Sequence, residues 1–122
     1  MGNALSGRVL ASGDVLLLGA TGRLGGMLRR HWPEPEALRS QSREPRPGFY
    51  DLKLPNAEES PSDAALAAAS GAGAIISLAG VTPARAGAGG AALGDNATLA
   101  LAALKLAETA GVPRLLVASS AR

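Results

Sequence analysis

A run of apolar residues that gives way to evenly spaced glycines constrains the fold more than any other feature. Val15–Leu18 contains no polar residue, which is typical of a strand buried on both faces of a parallel sheet. From Arg23 onward the apolar residues recur at helical spacing, and Pro33 ends that pattern. Between the two lie the glycines of a G-x-x-G-x-x-G pattern, namely Gly19, Gly22 and Gly25. This segment is predicted to form a strand, a tight turn and a helix.

Four further strands and two further helices are predicted along the chain. The strands are Ala37–Ser42, Phe49–Leu54, Ile75–Ala79 and Val112–Ser120. The helices are Asp63–Ala69, with Ser62 as N-cap and Gly71 as stop, and Ala91–Ala110, closed by Gly111. Strands that alternate with helices indicate a parallel sheet covered by helices on both faces. Residues 1–13 are expected to be a loose leader and residues 14–122 a single domain.

Two helices are predicted to turn apolar stripes toward the sheet. In the first, the stripe consists of Leu24, Met27, Leu28 and His31, with Arg29 and Arg30 turned outward. In the long helix, it consists of Leu93, Ala97, Ala100, Leu101, Leu104 and Ala107.

Composition excludes several classes of function. With 2% aromatic residues, the chain lacks stacking platforms for bases, and its net charge of +2 is too small for a duplex-binding face. No apolar run approaches the roughly 18 residues of a membrane span. The absence of cysteine excludes disulfides, zinc–thiolate sites and thiol catalysis, and no metal site is expected. We therefore expect a cytoplasmic protein that contacts neither nucleic acid nor membrane.

The glycine turn, defined as Gly19–Gly25, has the context of a diphosphate-binding turn. It follows a buried strand and opens a helix, so backbone N–H groups and the helix N-terminus would point at the phosphates. Gly19 would make the tight turn, Gly22 would let a pyrophosphate approach the backbone, and Gly25 would let the helix pack on the strand. Thr21 and Arg23 would add a hydroxyl and a cation. A strand–turn–helix without a ligand is the alternative.

The end of the second strand bears on which dinucleotide would bind. An acidic residue there would hydrogen-bond the ribose of NAD, but "RSQSRE" offers Arg39 and Arg43 and no carboxylate within the strand. A guanidinium near that ribose would pair with a 2′-phosphate, which favours NADP over NAD. Glu44 argues the other way, since a small shift would bring it near the ribose. Both arginines could also be solvated loop charges, and with Arg46 they form a candidate anion pocket.

Four motifs in order resemble the N-terminal part of an extended short-chain dehydrogenase/reductase, the NAD(P)-dependent epimerase/dehydratase family. "GATGRLG" is similar to its cofactor turn, "YDL" to its adenine contact, and "SLAG" to its fourth-strand signature. "DNATLALAALKLAETAGVPRLLVASS" is similar to its Asn-led helix and fifth strand. The resemblance implies an α/β fold with a Rossmann-like, doubly wound parallel sheet in the strand order 3-2-1-4-5, truncated after strand 5.

The resemblance also implies which residues form the site. Ser120 and Asn96 take catalytic positions: the serine would hydrogen-bond the reacting hydroxyl or carbonyl, and the asparagine would organise active-site water and backbone. The cofactor-binding positions are Gly19, Ala20, Thr21, Gly22, Arg23, Leu24, Gly25, Arg43, Asp51, Leu52, Leu78, Ala79, Gly80 and Ser119. Asn96 could instead be a helix N-cap after Gly94 and Asp95, and the two serines could be ordinary loop residues.

One departure from the family pattern limits the expected activity. The family uses a Tyr-x-x-x-Lys pair, in which the lysine lowers the tyrosine pKa for acid/base work. Tyr50 is the single tyrosine, and Lys53 follows three residues later in the third-strand region, so we reject this pair. Two hypotheses remain. The chain is a truncated piece of an oxidoreductase, epimerase or dehydratase that acts on a hydroxyl or carbonyl substrate, such as a nucleotide-sugar-like one, or it is a complete non-catalytic module that senses NAD(P) or docks on a partner. A homodimer is possible.

Overall fold

The computed structural model describes residues 13–42, 47–51, 60–78 and 89–118, with the backbone alone for residues 51 and 89–96. The strands in these ranges are β1 (Val15–Leu18), β2 (Leu38–Ser42), β3 (Tyr50–Asp51), β4 (Ala74–Ser77) and β5 (Leu115–Val117). The helices are α1 (Arg23–His31), α2 (Asp63–Ala69) and α3 (Gly89–Ala110), with a short 3-10 turn at Pro35–Ala37.

The strands form one parallel sheet in the order β3-β2-β1-β4-β5, as the sequence predicts for a Rossmann-like α/β fold. Leu16 lies opposite Arg39 of β2 on one side and opposite Ile75 of β4 on the other. The bounds of β1 are the predicted ones, β2 begins one residue later than predicted, β4 begins one residue earlier, and β5 begins three residues later. Residues 52–54 of the predicted third strand lie outside the described ranges.

The main core lies between the sheet and the helices α2 and α3. Leu16, Leu18 and Ile75 project from the central strands and are fully buried. They pack against small side chains, which let the two helices approach the sheet closely: Ala65, Ala68, Ala69, Ala103 and Ala107, together with Leu106. Leu17 is equally buried but lies outside this cluster, because alternation along β1 turns it toward the opposite face.

The predicted helix signals act as expected in α2 and α3. The Ser62 hydroxyl accepts a hydrogen bond from the Ala65 N–H at 3.1 Å, which caps the start of α2. Gly71 and Gly111 follow the two helices with φ of 72° and 73°, a left-handed conformation that favours glycine. The boundaries of α2 agree with the prediction, and α3 begins two residues earlier than predicted.

The predicted stripe of α1 is largely wrong, since Leu28 is its one half-buried member and the others are exposed. Leu24 and Met27 are 50% and 47% exposed, and the buried residue of this helix is Gly25. Arg29 is not simply turned outward: its Nε donates to the Ser40 hydroxyl at 3.1 Å, and its guanidinium lies 4.2 Å from the centre of the Phe49 ring. The helix packs on the glycine turn through Gly25, where a Cβ would overlap backbone atoms of Gly19 and Ala20, and it contacts β2 through the Arg29 side chain.

The predicted stripe of α3 is also largely wrong. Of the predicted residues, Ala97, Leu101 and Leu104 are exposed, whereas Ala100 is half-buried and Ala107 is buried. Ala102, Ala103 and Leu106 are buried although the stripe does not include them. The side chain of Leu93 lies outside the described part. Alanine and leucine occur on all sides of this helix, so its apolar period does not identify the face that packs on the sheet.

Candidate functional site

The strand order reverses at β1, and this reversal defines the candidate site. The chain moves from β1 to β2 on one side, and β4 then pairs with β1 on the other side. In open α/β sheets, ligands bind outside the carboxyl ends of the strands at such a switch point. The glycine turn leaves β1 at its carboxyl end and therefore lies at this crevice.

The turn begins with a backbone conformation that requires glycine. Gly19 has a φ of 77°, where a residue with a Cβ would be strained. Its carbonyl oxygen accepts a hydrogen bond from the Gly22 N–H at 3.4 Å, which closes the turn. Ala20 is buried beneath the turn, whereas Thr21, Gly22 and Arg23 are exposed. The predicted role of Gly19 in making the tight turn is confirmed.

The other two glycines of the turn meet different surroundings. A Cβ on Gly25 would lie 2.6 Å from the Gly19 carbonyl oxygen and 2.7 Å from Ala20 backbone atoms, so the helix packs on the turn through Gly25. A Cβ on Gly22 would meet the Gly19 carbonyl oxygen at 3.7 Å, an ordinary contact. The fold thus requires glycine at position 25, as predicted, but leaves room for a side chain at position 22.

The N-terminus of α1 opens directly from the turn. Gly22 is its N-cap, with extended backbone and no side-chain hydrogen bond to the cap. The first turn of the helix contains no acidic residue and begins with the exposed Arg23. The helix dipole and the guanidinium therefore place positive potential on the exposed side of Gly22, which suits an anionic ligand.

Gln41 holds the turn from the neighbouring strand. The Gly19 N–H donates to the Gln41 side-chain oxygen Oε1 at 2.8 Å, and the Ala20 N–H donates to the Gln41 carbonyl oxygen at 3.3 Å. The Gln41 side chain is almost completely buried. Gln41 was not among the predicted site residues, because its neighbours Ser40 and Ser42 are polar and their burial is visible only in the structure.

Arg39 does not lie near the candidate site, so its predicted pairing with a ribose phosphate is wrong. Its Nη2 lies 2.8 Å from Asp14 Oδ2, and its Nη1 donates to the carbonyl oxygens of Ala68 and Ser70 at 2.9 and 2.7 Å. Asp14 precedes β1, so these contacts lie at the amino end of the sheet. Arg39 and Gln41 lie on the same face of β2, but Arg39 contacts residues at the amino end of the sheet and Gln41 contacts the turn at the carboxyl end.

The carboxyl end of β4 continues the same edge. The Leu78 N–H donates to the Leu18 carbonyl oxygen at 2.9 Å, so Leu78 lies beside the start of the glycine turn. The Ala118 N–H donates to the Ser77 carbonyl oxygen at 3.0 Å and extends the ladder toward β5. Within the described residues, the buried Ser77 hydroxyl has no hydrogen-bond partner.

The remaining predicted site residues are placed only in part. Asp51 ends β3 opposite Ser42, and Asn96 lies inside α3, of which the backbone alone is described. Because α3 begins at Gly89, Asn96 is not its N-cap, and that alternative is wrong. The other predicted positions lie outside the described residues: Arg43, Leu52, Ala79, Gly80, Ser119 and Ser120.

Within the described ranges, no helix is both long and apolar enough to cross a bilayer. In the same ranges, no group of three His, Asp or Glu residues could hold a metal ion.

Comparison with solved structures supports the same architecture. The chain is similar to uronate dehydrogenase from Agrobacterium tumefaciens, with a TM-score of 0.59 and 26% sequence identity over 88% of this chain. It is also similar to a tyrosine-to-alanine variant of that enzyme complexed with NAD, with a TM-score of 0.58 and 25% identity. The chain spans 40% of the length of either structure. No protein-family model and no curated protein sequence matches the chain.

Proposed function

We propose that the chain binds a nicotinamide dinucleotide at the glycine turn, as the cofactor-binding part of an oxidoreductase, epimerase or dehydratase. The observation that carries this proposal is the position of Gly22. The fold itself does not require glycine there, since a Cβ would meet only an ordinary contact at 3.7 Å. A bare backbone at an exposed helix N-terminus leaves room for a diphosphate to come close.

The surroundings of Gly22 suit a diphosphate. Thr21 and Arg23 flank it and are exposed, and the start of α1 has no carboxylate to compete for the helix N-terminus. The exposed turn and helix N-terminus therefore offer backbone N–H groups, the Thr21 hydroxyl and the Arg23 guanidinium to a phosphate. Binding of NAD by the similar uronate dehydrogenase variant supports a nicotinamide dinucleotide over other diphosphates.

We further propose a preference for NADP. The strand β2, with the sequence LRSQS, carries no carboxylate to accept a hydrogen bond from the ribose 2′-hydroxyl. With Arg39 engaged at the amino end of the sheet, Arg43 is the arginine that would pair with a 2′-phosphate. We propose that the remaining cofactor contacts are made by Asp51, Leu52, Leu78, Ala79, Gly80 and Ser119.

We do not expect this chain to turn over a substrate by itself. Ser120 and Asn96 would contact or organise a hydroxyl or carbonyl substrate, but no tyrosine of this sequence is followed by lysine at the fourth position. Without that acid/base pair, we expect cofactor binding without hydride transfer. We further propose a substrate with a hydroxyl or carbonyl group, a cytoplasmic location and a homodimer.

Two valine variants of the same helix test the proposal. Gly22→Val places a side chain where the diphosphate would lie, whereas Gly26→Val adds the same side chain where a Cβ meets nothing within 4 Å. We expect the wild-type chain and Gly26→Val to bind NADP, and Gly22→Val to bind at least about a hundredfold more weakly, a loss of roughly 2.8 kcal/mol.

Isothermal titration calorimetry measures these affinities, and circular dichroism checks that each variant is folded. The same titration with NAD tests the preference, since equal affinities for the two dinucleotides would refute it. A folded Gly22→Val chain with wild-type affinity would show that the diphosphate does not lie at the glycine turn.

A further inference from the structure

We propose that Gln41 is a positioning residue of the dinucleotide site, acting through the backbone of the glycine turn. This inference rests on the proposed function. Gln41 lies in β2, outside the glycine motif, and touches the turn from the neighbouring strand. Its role would be to hold the first two residues of the turn so that the amides that follow face the ligand.

Two hydrogen bonds, both accepted by Gln41, fix the start of the turn. The side-chain oxygen of Gln41 accepts from the Gly19 N–H at 2.8 Å, and its main-chain oxygen accepts from the Ala20 N–H at 3.3 Å. The residue is 2% exposed, so water cannot readily replace the side-chain bond. A Gly19 N–H without an acceptor would favour a different turn, because an unpaired amide in this environment is costly.

Any movement of Gly19 is transmitted to the proposed diphosphate contacts. The Gly19 carbonyl oxygen accepts from the Gly22 N–H, and it is also the atom nearest to the Cβ position of Gly25. The Gly19 carbonyl group therefore contacts both the N-cap and the first turn of α1 directly. Loss of the Gln41 bond would misalign Gly22 and Arg23 without removing any group that touches the dinucleotide.

The neutral amide of Gln41 also suits an anionic ligand. A carboxylate at the same place would accept the Gly19 bond equally well, but it would add a negative charge beside the turn in a largely buried position. Such a charge would repel NADP, with its additional phosphate, more than NAD. Glutamine thus supplies the acceptor and avoids the repulsion.

Three variants separate positioning from general stability. Gln41→Met has similar length but no acceptor, and Gln41→Glu keeps an acceptor and adds a charge. Arg39→Met is the matched control, since it changes the same strand and the same face at the opposite end, where Arg39 binds Asp14. Each variant is titrated with NADP and with NAD by calorimetry, and its thermal unfolding is recorded.

We expect Gln41→Met to bind both dinucleotides about tenfold more weakly, the loss of one hydrogen bond to a buried amide, with their ratio unchanged. Gln41→Glu should weaken NAD binding, because the diphosphate of NAD would also lie at the turn, and it should weaken NADP binding more, by about tenfold or more. Arg39→Met should unfold at lower temperature but keep both affinities. If Gln41→Met does not fold, Gln41→Asn serves instead, because its shorter side chain withdraws the oxygen from Gly19.

Wild-type affinity in the folded Gln41→Met or Gln41→Asn chain would overturn the proposal. A loss of affinity in Arg39→Met equal to that in Gln41→Met would overturn it as well, by assigning the effect to stability. A wild-type chain that binds neither dinucleotide would refute the proposed function itself, and the inference with it.

Discussion

At the scale of single residues, the glycine turn combines positions that the fold requires with one that it does not. Gly19 needs its positive φ and Gly25 needs its missing Cβ, and both roles could be predicted from the strand–turn–helix context. The contact between Gln41 and Gly19 could not be predicted, because it joins a side chain to a backbone amide 22 residues earlier in the chain. Such a contact depends on strand register, which a local sequence pattern does not specify.

Substitution of adjacent glycines in α1 by alanine should have opposite effects on stability. A Cβ at position 25 would overlap backbone atoms of Gly19 and Ala20, so Gly25→Ala is expected to lower the free energy of unfolding by about 1–3 kcal/mol. A Cβ at position 26 meets nothing, so Gly26→Ala should raise it by about 0.5–1 kcal/mol through helix propensity.

Urea unfolding of the two single variants checks this pair. Equal effects of the two substitutions would show that Gly25 is not packed against the turn.

At the scale of secondary-structure elements, β2 does more than pair with its neighbours. Arg39 ties its amino end to Asp14 and to the end of α2, Ser40 binds Arg29 of α1, and Gln41 holds the glycine turn. The sequence predicted this strand only from a weakly apolar run. Its polar residues have partners on three different elements, and no periodicity within β2 could reveal them. The helix faces were mispredicted for a related reason, since contacts made through glycine and alanine leave little hydrophobic signal.

The Arg39 contacts should stabilise the domain without affecting the ligand. Arg39→Met removes charge-assisted hydrogen bonds from a side chain that is 18% exposed, and it is expected to cost about 2 kcal/mol. Asp14→Asn keeps an acceptor and should cost less, about 0.5–1 kcal/mol, because its carboxylate is one-third exposed and screened by salt.

Arg114→Met, at an exposed position before β5, is the control and should change stability by less than about 0.5 kcal/mol. Chemical denaturation of the three variants measures these differences. An unchanged free energy of unfolding in Arg39→Met would contradict the assignment of Arg39 to a structural role.

At the scale of the whole molecule, the strand order could be predicted from the sequence, whereas the exposed apolar residues of the helices could not. Alternating strands and helices leave few arrangements of a parallel sheet, and the observed order is the predicted one. The exposed apolar residues of the helices were not predicted, namely Leu24 and Met27 on α1 and Leu101 and Leu104 on α3. Leu116 and Val117 of β5, the edge strand of the described sheet, are exposed as well. A homodimer stays a prediction.

The nitrogen-15-labelled chain can be titrated with NADP while heteronuclear NMR follows each backbone amide. This measurement shows whether the dinucleotide binds at the glycine turn. A dinucleotide bound at the switch point should shift the backbone amides of the glycine turn and of Leu78 in a saturable way. The amides around Asp14 and Arg114, at the amino ends of β1 and β5, should not move. Saturable shifts confined to those amino ends, or no shifts at all, would contradict the assignment of the glycine turn as a dinucleotide site.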